Sequence, residues 1–394
     1  MNENHLHTRI LHADSAPFDE NTGIAPVSLP AYRTSTVRFK NLDVLDDVMA
    51  RKSKGERLVS YGISGLETHR ALERVINMME QGTYCLLNPS GLAAIHLTFM
   101  SVLSAGDHVL VSDNVYGPVR IMNDTLLKRL NIEVTFFASD EDPTGLIRPN
   151  TKMIYIESPG SLLMQMMDVP AIARIAKAHN LILAIDNTWG TGFYEPLRLG
   201  ADISVIAGTK YINGHSDVML GAIVTNREDL AQNINVTQYA VGNSVSADDV
   251  WLALRGVKTM GVRLAHHTQS ALKVCEYLDK HPKVSRIYFP AWHKDPGHEL
   301  WKRDCGGGAN GLLSVSLNCS PEAARVFVDA LQLFGIGFSW GGFESLVQWV
   351  NTNTLKNHSY WKEHEKALIR LHIGLENVDD IIQDIDQALA KIPG

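Results

Sequence analysis

The chain has 394 residues, of which 45% are hydrophobic and 20% charged, and 36 Lys plus Arg stand against 43 Asp plus Glu for a formal net charge of −7. These proportions exclude a disordered chain, which lacks the apolar residues to offset its ordering entropy. The acidic balance argues against a general nucleic-acid binder, which needs Lys and Arg for phosphate.

The length suits two domains with sizeable cores. The first sixty residues read as an arm, with Pro17, Pro26, Pro30, few periodic apolar runs and the basic stretch RKSKGER at 51–57. An arm without a face to bury packs on something else, here expected to be a neighbouring subunit. Helical periodicity begins near Leu66 and continues through Leu72, Val75, Ile76 and Met79. From Tyr84 to about Thr225 short apolar runs (YCLL, HVLV, IEVTFF, KMIYI, LILAI, DISVIA, AIVT) alternate with helical segments such as 92–103, 119–130 and 169–179. That alternation predicts a mostly parallel sheet between helices, the large domain of an α/β protein.

One long amphipathic helical stretch is predicted over 247–279, with Leu252, Leu254, Val257, Met260, Leu264 and Leu272 apolar. Beyond it, VSRIYF, LLSVSL, SLVQWV and LIRLHI read as strands, and 321–334 and 378–392 as helices, which makes a smaller C-terminal α+β domain. CGGGANG at 305–311 reads as a flexible loop. The expected division is an arm over 1–60, a large domain over 61–256 and a small domain over 257–394.

No segment reaches the roughly 18 consecutive apolar residues of a membrane span. The polar start, MNENHLHTRILHADSAP, lacks the apolar core of a secretory signal. Cys85, Cys275, Cys305 and Cys319 are scattered and form no CxxC pair, so a reducing, cytoplasmic home is expected, with Cys85 in the core. No metal is expected. His293 and His298 lack further ligands, and His266 and His267 point to different faces of one helix.

Ligands of open α/β sheets sit at the carboxyl ends of the strands. Asp186 follows LILAI, Lys210 follows DISVIA in GTK, Ser90 and Gly91 follow YCLLN and open a helix, and Tyr116 follows HVLVSDN. Singly, these read as a helix cap, a surface lysine, a helix start and a half-buried aromatic. Together they match the needs of pyridoxal phosphate (PLP). A helix N-terminus binds the phosphate, an amine forms a Schiff base with the aldehyde, a carboxylate pairs with the pyridine nitrogen, and an aromatic ring stacks on the cofactor. Neither GxGxxG after an early strand nor GxxxxGK[ST] is present.

The segments ESPGS (157–161), AIDNTWGTG, GTKYINGHSD, LRGVKTMGVRL and LIRLHIGLENVDD resemble the Cys/Met-metabolism PLP-dependent enzymes, a fold type I family, in similar order over nearly the whole chain. SWGGFESL (339–346) is most similar to the bacterial cystathionine β-lyase branch, since the γ-acting members tend to carry a smaller apolar residue where Trp340 stands. The resemblance implies that Lys210 is the Schiff-base lysine and proton carrier, and that Asp186 pairs with the pyridinium. It places Tyr116 over the ring and Gly91, Leu92 and Thr209 at the phosphate. Tyr61, in YGISG, would reach the neighbouring subunit's phosphate. Arg370, Ser339 and Trp340 would hold the substrate carboxylate, and Tyr239 would line the neighbour's site.

The implied reaction is β-elimination from L-cystathionine to homocysteine, pyruvate and ammonia, in methionine biosynthesis, by a homotetramer built as a dimer of active dimers, with a small-molecule amino acid as partner and neither nucleic acid nor membrane. Rival readings are a broader cysteine-S-conjugate β-lyase, a methionine γ-lyase, a racemase side activity, or a regulator that keeps the PLP fold for binding. Two positions depart from the family. Ile63 stands where many members have an Arg for the phosphate, and Ala207 where Ser is frequent. The phosphate is then expected to be held less tightly, or to draw on a basic residue from 51–57.

Overall fold

The computed structural model describes residues 4–362 and 365–393. The arm carries α1 (Leu6–His12) and α2 (Leu42–Ser53). Their absence from the periodicity has a physical reason: α1 buries only Ile10 and α2 buries nothing, although Asn41 caps α2 by accepting from the Val44 N–H. Then come α3 (Glu67–Glu80), β1 (Tyr84–Asn88), α4 (Gly91–Val102), β2 (His108–Ser112), α5 (Pro118–Met122), β3 (Glu133–Phe137) and β4 (Thr151–Glu157). They are followed by α6 (Val169–Ala178), β5 (Ile182–Asp186), β6 (Ile203–Ile206), β7 (Gly221–Thr225) and α7 (Glu228–Ala240).

Helix α3 buries Leu72, Val75, Ile76 and Met79 along one face, each such side chain contributing about 1.5–3 kcal/mol of burial. The segment after α5 departs from a plain helix, passing into a π turn over Asn123–Leu127. The seven strands form one sheet in the order β1-β7-β6-β5-β4-β2-β3. All neighbours run parallel except β7, which is antiparallel to β1 and β6. Every residue of β2, β6 and β7 is buried, as in a sheet covered on both faces. The predicted α/β class with a mostly parallel sheet is borne out.

The single helix expected over 247–279 is two, α8 (Ala247–Val257) and α9 (Met260–Leu278). The buried guanidinium of Arg263 donates to the Gly256 carbonyl at 2.8 Å and to Thr259 Oγ1 at 3.1 Å, closing the end of α8 where its last carbonyls lack helical partners. The rest comprises β8 (Val284–Tyr288), α10 (His298–Cys305), β9 (Leu312–Leu317), α11 (Pro321–Ala330), β10 (Gly335–Ile336), β11 (Leu346–Val350), β12 (Ala367–His372) and α12 (Val378–Ala390). These strands make a second sheet in the order β10-β11-β12-β9-β8. Its core, including Leu313, Val315, Phe327, Leu368, Ile369 and Ile385, is separate from the core beside α3. Helix α11 ends four residues before the expected limit, at Ala330, and α7 and α10 escaped the pattern because each buries few residues. Trp189 and Asn310 join the two parts: Trp189 Nε1 donates to the Leu312 carbonyl, and Asn310 Nδ2 donates to the Trp189 carbonyl at 2.7 Å.

Candidate active site

Parallel strands bring their carboxyl ends to one edge, and Asp186 ends β5 there. Its Oδ1 accepts from the Thr188 N–H at 3.0 Å and the Thr188 hydroxyl at 2.6 Å. Burial raises the pKa of this carboxyl, while Thr188 and the charge of Lys210 oppose the rise. Directly opposite in the β4–β5 register stands Glu157. Its carboxyl accepts from the Tyr116 N–H and from Ser161 Oγ, the latter at 2.7 Å. Burial, then the neighbouring Asp186, push Glu157 well above the ordinary carboxylate range. Glu157 therefore fixes the backbone of Tyr116. The Tyr116 phenol is raised in pKa by burial and then by Glu157.

Lys210 lies in the turn between β6 and β7. Its Nζ donates to Ser339 Oγ at 2.7 Å and stands 5.3 Å from the centre of the Trp340 ring. Arg370, the one half-buried residue of β12, donates from Nη2 to the Ser339 carbonyl at 3.0 Å. The Lys210 amine is lowered to about 8, first by burial and then by the charge of Arg370, with Asp186 acting in the opposite sense. Burial lowers Arg370 to about 10, with Tyr116 opposing. An amine near 8 is part neutral at physiological pH and can take a proton, which an ordinary lysine cannot do well.

At the neighbouring strand end, Ser90 caps α4 by accepting from the Ala93 N–H at 3.0 Å. The N–H groups of Gly91 and Leu92, in the first turn, have no carbonyl of their own helix to bond. A Cβ on Gly91 would stand 2.6 Å from that of Ala207, so α4 starts hard against the turn that carries Lys210. Thr209 Oγ1 accepts from the Leu220 N–H at 2.9 Å, which ties that turn to the start of β7.

The structure thus gathers Lys210, Asp186, Tyr116, Ser339, Trp340, Arg370, Thr209 and the Gly91–Leu92 helix start along one edge. It does not gather Tyr61 and Tyr239. Tyr61 is 50% exposed and Tyr239 is 67% exposed. Among the described residues, no hydrogen bond joins either to the Lys210 cluster. Three basic residues of the stretch 51–57 are already engaged: Arg51 with Asp47 and Glu56, Lys52 with Ser60, and Arg57 with Glu73. The described residues hold no cluster of three or more potential metal ligands.

Sequence reasoning assigned no role to Glu157, Tyr155, Thr188 or His372. Thr188 had a readable signal, since a hydroxyl two residues after an Asp bonds its carboxylate in an Asx-type turn. The others depend on register across strands.

The donor set fits PLP. A buried carboxylate, a lysine held part neutral, a helix N-terminus kept free of side chain by Gly91, and a phenol over the same edge are each where one part of that cofactor would need them. The Tyr155 hydroxyl, buried near Asp186, finds no partner of good geometry among the described residues.

Comparison with known proteins agrees. Residues 7–390 match the family described as Cys/Met metabolism PLP-dependent enzyme. The chain is 58% identical over 388 residues to the cystathionine beta-lyase of Bordetella avium, covering 98% of each. It superposes on the crystal structure of metB from Corynebacterium glutamicum with a TM-score of 0.90 at 29% identity, covering 100% of this chain and 99% of that one. It also superposes on cystathionine gamma-lyase from Lactobacillus plantarum, solved in complex with L-serine, with a TM-score of 0.85 at 31% identity and 99% of both chains covered.

Proposed function

We propose that the chain, which belongs to the Cys/Met metabolism PLP-dependent enzymes, cleaves the β-carbon–sulfur bond of L-cystathionine, with water, to homocysteine, pyruvate and ammonia. As a member of that family it is a PLP-dependent enzyme acting on a small amino acid. The observation that carries the reading is the pair of contacts on Ser339, the Lys210 amine on its hydroxyl and the Arg370 guanidinium on its carbonyl, with the Trp340 ring beside the amine. The high identity to a relative named as a β-lyase supports the choice of substrate.

Bound PLP supplies the electron sink that takes up the charge released when the α-proton leaves. Lys210 would hold the cofactor through its amine and, in its unprotonated form, would take that proton. Its lowered pKa supplies the neutral form. Asp186, fixed by Thr188, would hold the pyridine nitrogen, and the Gly91 and Leu92 N–H groups with Thr209 the phosphate. Tyr116, anchored through its N–H by Glu157, would cover the ring. Arg370, with Ser339 and Trp340, would orient the substrate carboxylate.

The same proposal assigns an arm over 1–60, a large domain over 61–256 and a small domain over 257–394. It makes the active unit a dimer, paired into a homotetramer in the cytoplasm. Exposure of Tyr61 and Tyr239, and of Phe18, Val27 and Val236 on the arm and α7, supports a neighbouring chain over these faces. The free cysteines suit a reducing compartment.

Incubation of the PLP-loaded protein with L-cystathionine is the test. Homocysteine and pyruvate are expected. Cysteine and 2-oxobutyrate as main products would replace the reading with a γ-lyase. Borohydride reduction followed by peptide mapping is expected to place the cofactor on Lys210, and its recovery on another lysine would overturn the site.

A further inference from the structure

His372 lies two positions after Arg370 on β12, so the two side chains leave the same face of the strand. Its ring is buried. Nε2 accepts the Gly341 N–H at 3.0 Å, and Nδ1 meets the Glu344 carbonyl at 3.0 Å. Only an unprotonated nitrogen accepts, and only a protonated one donates to a carbonyl, so the two contacts define a neutral ring with its hydrogen on Nδ1. Burial, then the nearby His267, hold the imidazole well below its usual pKa, in keeping with that tautomer.

The two bonds hold Gly341 and Glu344, in the loop that begins at Ser339. This loop lies on the backbone of Lys210: a Cβ on Gly341 would come within 3.0 Å of the Lys210 Cα. Ser339 has φ of 80°, a left-handed conformation costly for a residue other than glycine. Such a conformation persists only where the surroundings enforce it. Arg370 fixes Ser339 through its carbonyl, and Lys210 contacts its hydroxyl. His372 supplies the third hold, two residues further on.

We propose that His372 is a positioning residue for the substrate: the lone pair of its Nε2 holds the Gly341 N–H and thereby sets Ser339 and Trp340 between Lys210 and Arg370. One strand, β12, then carries both the guanidinium that meets the carboxylate and the imidazole that fixes the loop around it. The proposal deepens the lyase reading and rests on it for the identity of the substrate. The bland reading is a histidine that only fills space between His267 and Tyr211, whose ring centres lie 5.2 and 6.0 Å away.

Substitution at this one position separates the two. In His372→Gln the side-chain carbonyl reaches the place of Nε2 and still accepts the Gly341 N–H. In His372→Asn the amide reaches only the place of Nδ1, leaving a buried N–H without an acceptor. Both PLP-loaded variants are compared at equal cofactor content and thermal midpoint. His372→Gln is expected to keep most of kcat/KM. His372→Asn is expected to lose about ten- to a hundredfold, chiefly through KM, the range a buried unsatisfied donor commands. The affinity for glycine, which carries the carboxylate but no leaving group, should weaken in parallel. It is read without turnover, so it tests the positioning role even if cystathionine is not the substrate. Equal KM and equal glycine affinity in the two variants would overturn the proposal. Should His372→Asn fail to fold, His372→Met, equal to Gln in length and lacking the acceptor, replaces it in the same comparison.

Discussion

The amine of Lys210 donates to the hydroxyl of Ser339 at 2.7 Å across 129 positions of sequence, joining the turn after β6 to the loop before β11. The contact leaves the amine buried and close to Arg370, with its pKa lowered to about 8. In the cofactor-free protein, labelling of Lys210 by an amine-reactive reagent, followed by peptide mass spectrometry across pH, is expected to show a midpoint near that value. Arg370→Met removes a charge that repels the protonated amine, so the midpoint should rise. Asp186→Asn removes an attracting charge, so it should fall. The folded pKa lies below the unfolded value of 10.5. The unfolded chain therefore binds more protons between the two, and the penalty this lysine imposes on folding is relieved as pH rises through that window. A midpoint at the ordinary lysine value would sink the assignment.

Arg370 engages Ser339 with Nη2, one arm of a planar fork. Lysine offers a point charge in its place. Arg370→Lys is expected to lower kcat/KM for amino-acid substrates by about ten- to a hundredfold, as loss of a charge-assisted bidentate grip would. The PLP absorbance should remain. Unchanged kcat/KM would refute the carboxylate role.

Residues that end strands were legible because a strand end is a sequence event: Asp186, Lys210, Ser90 and Tyr116 each follow an apolar run. Arg370 was reached through the family resemblance instead, and the structure makes it the one half-buried residue of its strand. Glu157 also ends a strand, yet its role depends on lying opposite Asp186 in the β4–β5 register, which no local pattern encodes. His372 looked like any residue of LIRLHI, since its work is done on a loop 31 positions earlier. The helices of the arm were invisible because they bury almost nothing, and the break between α8 and α9 because a guanidinium makes it.

Gly91 offers a test of the helix start. An added Cβ would stand 2.6 Å from the Ala207 Cβ, closer than such atoms approach, so α4 must shift away from the Lys210 turn. Gly91→Ala is expected to weaken PLP binding in a spectroscopic titration of the cofactor-free protein, because the N–H groups that would hold the phosphate move with the helix. Adding Ala207→Gly removes the clashing methyl and should recover part of the affinity. Equal affinity in Gly91→Ala and the parent would show that the phosphate sits elsewhere.

The last prediction concerns a site shared between chains whose phosphate grip is incomplete. Tyr61 is half exposed, at the end of an arm that buries little. A phenol there would donate one hydrogen bond to a neighbour's phosphate. Ile63, two positions on, contributes none, and Arg51 and Arg57 are already paired with carboxylates of their own chain. A hydrogen bond to a charged group is worth about 1.5–3 kcal/mol. Ile63→Arg should therefore tighten PLP by about one to two decades, measured by the same titration. Mixing Tyr61→Ala with Lys210→Ala, each inactive alone, should restore activity, because a hybrid dimer holds one site that combines an intact lysine with an intact tyrosine from the other chain. Verified hybrids without activity would show that Tyr61 serves its own chain. Unchanged PLP affinity in Ile63→Arg would show that the phosphate is already fully held by groups such as the Gly91 and Leu92 N–H pair.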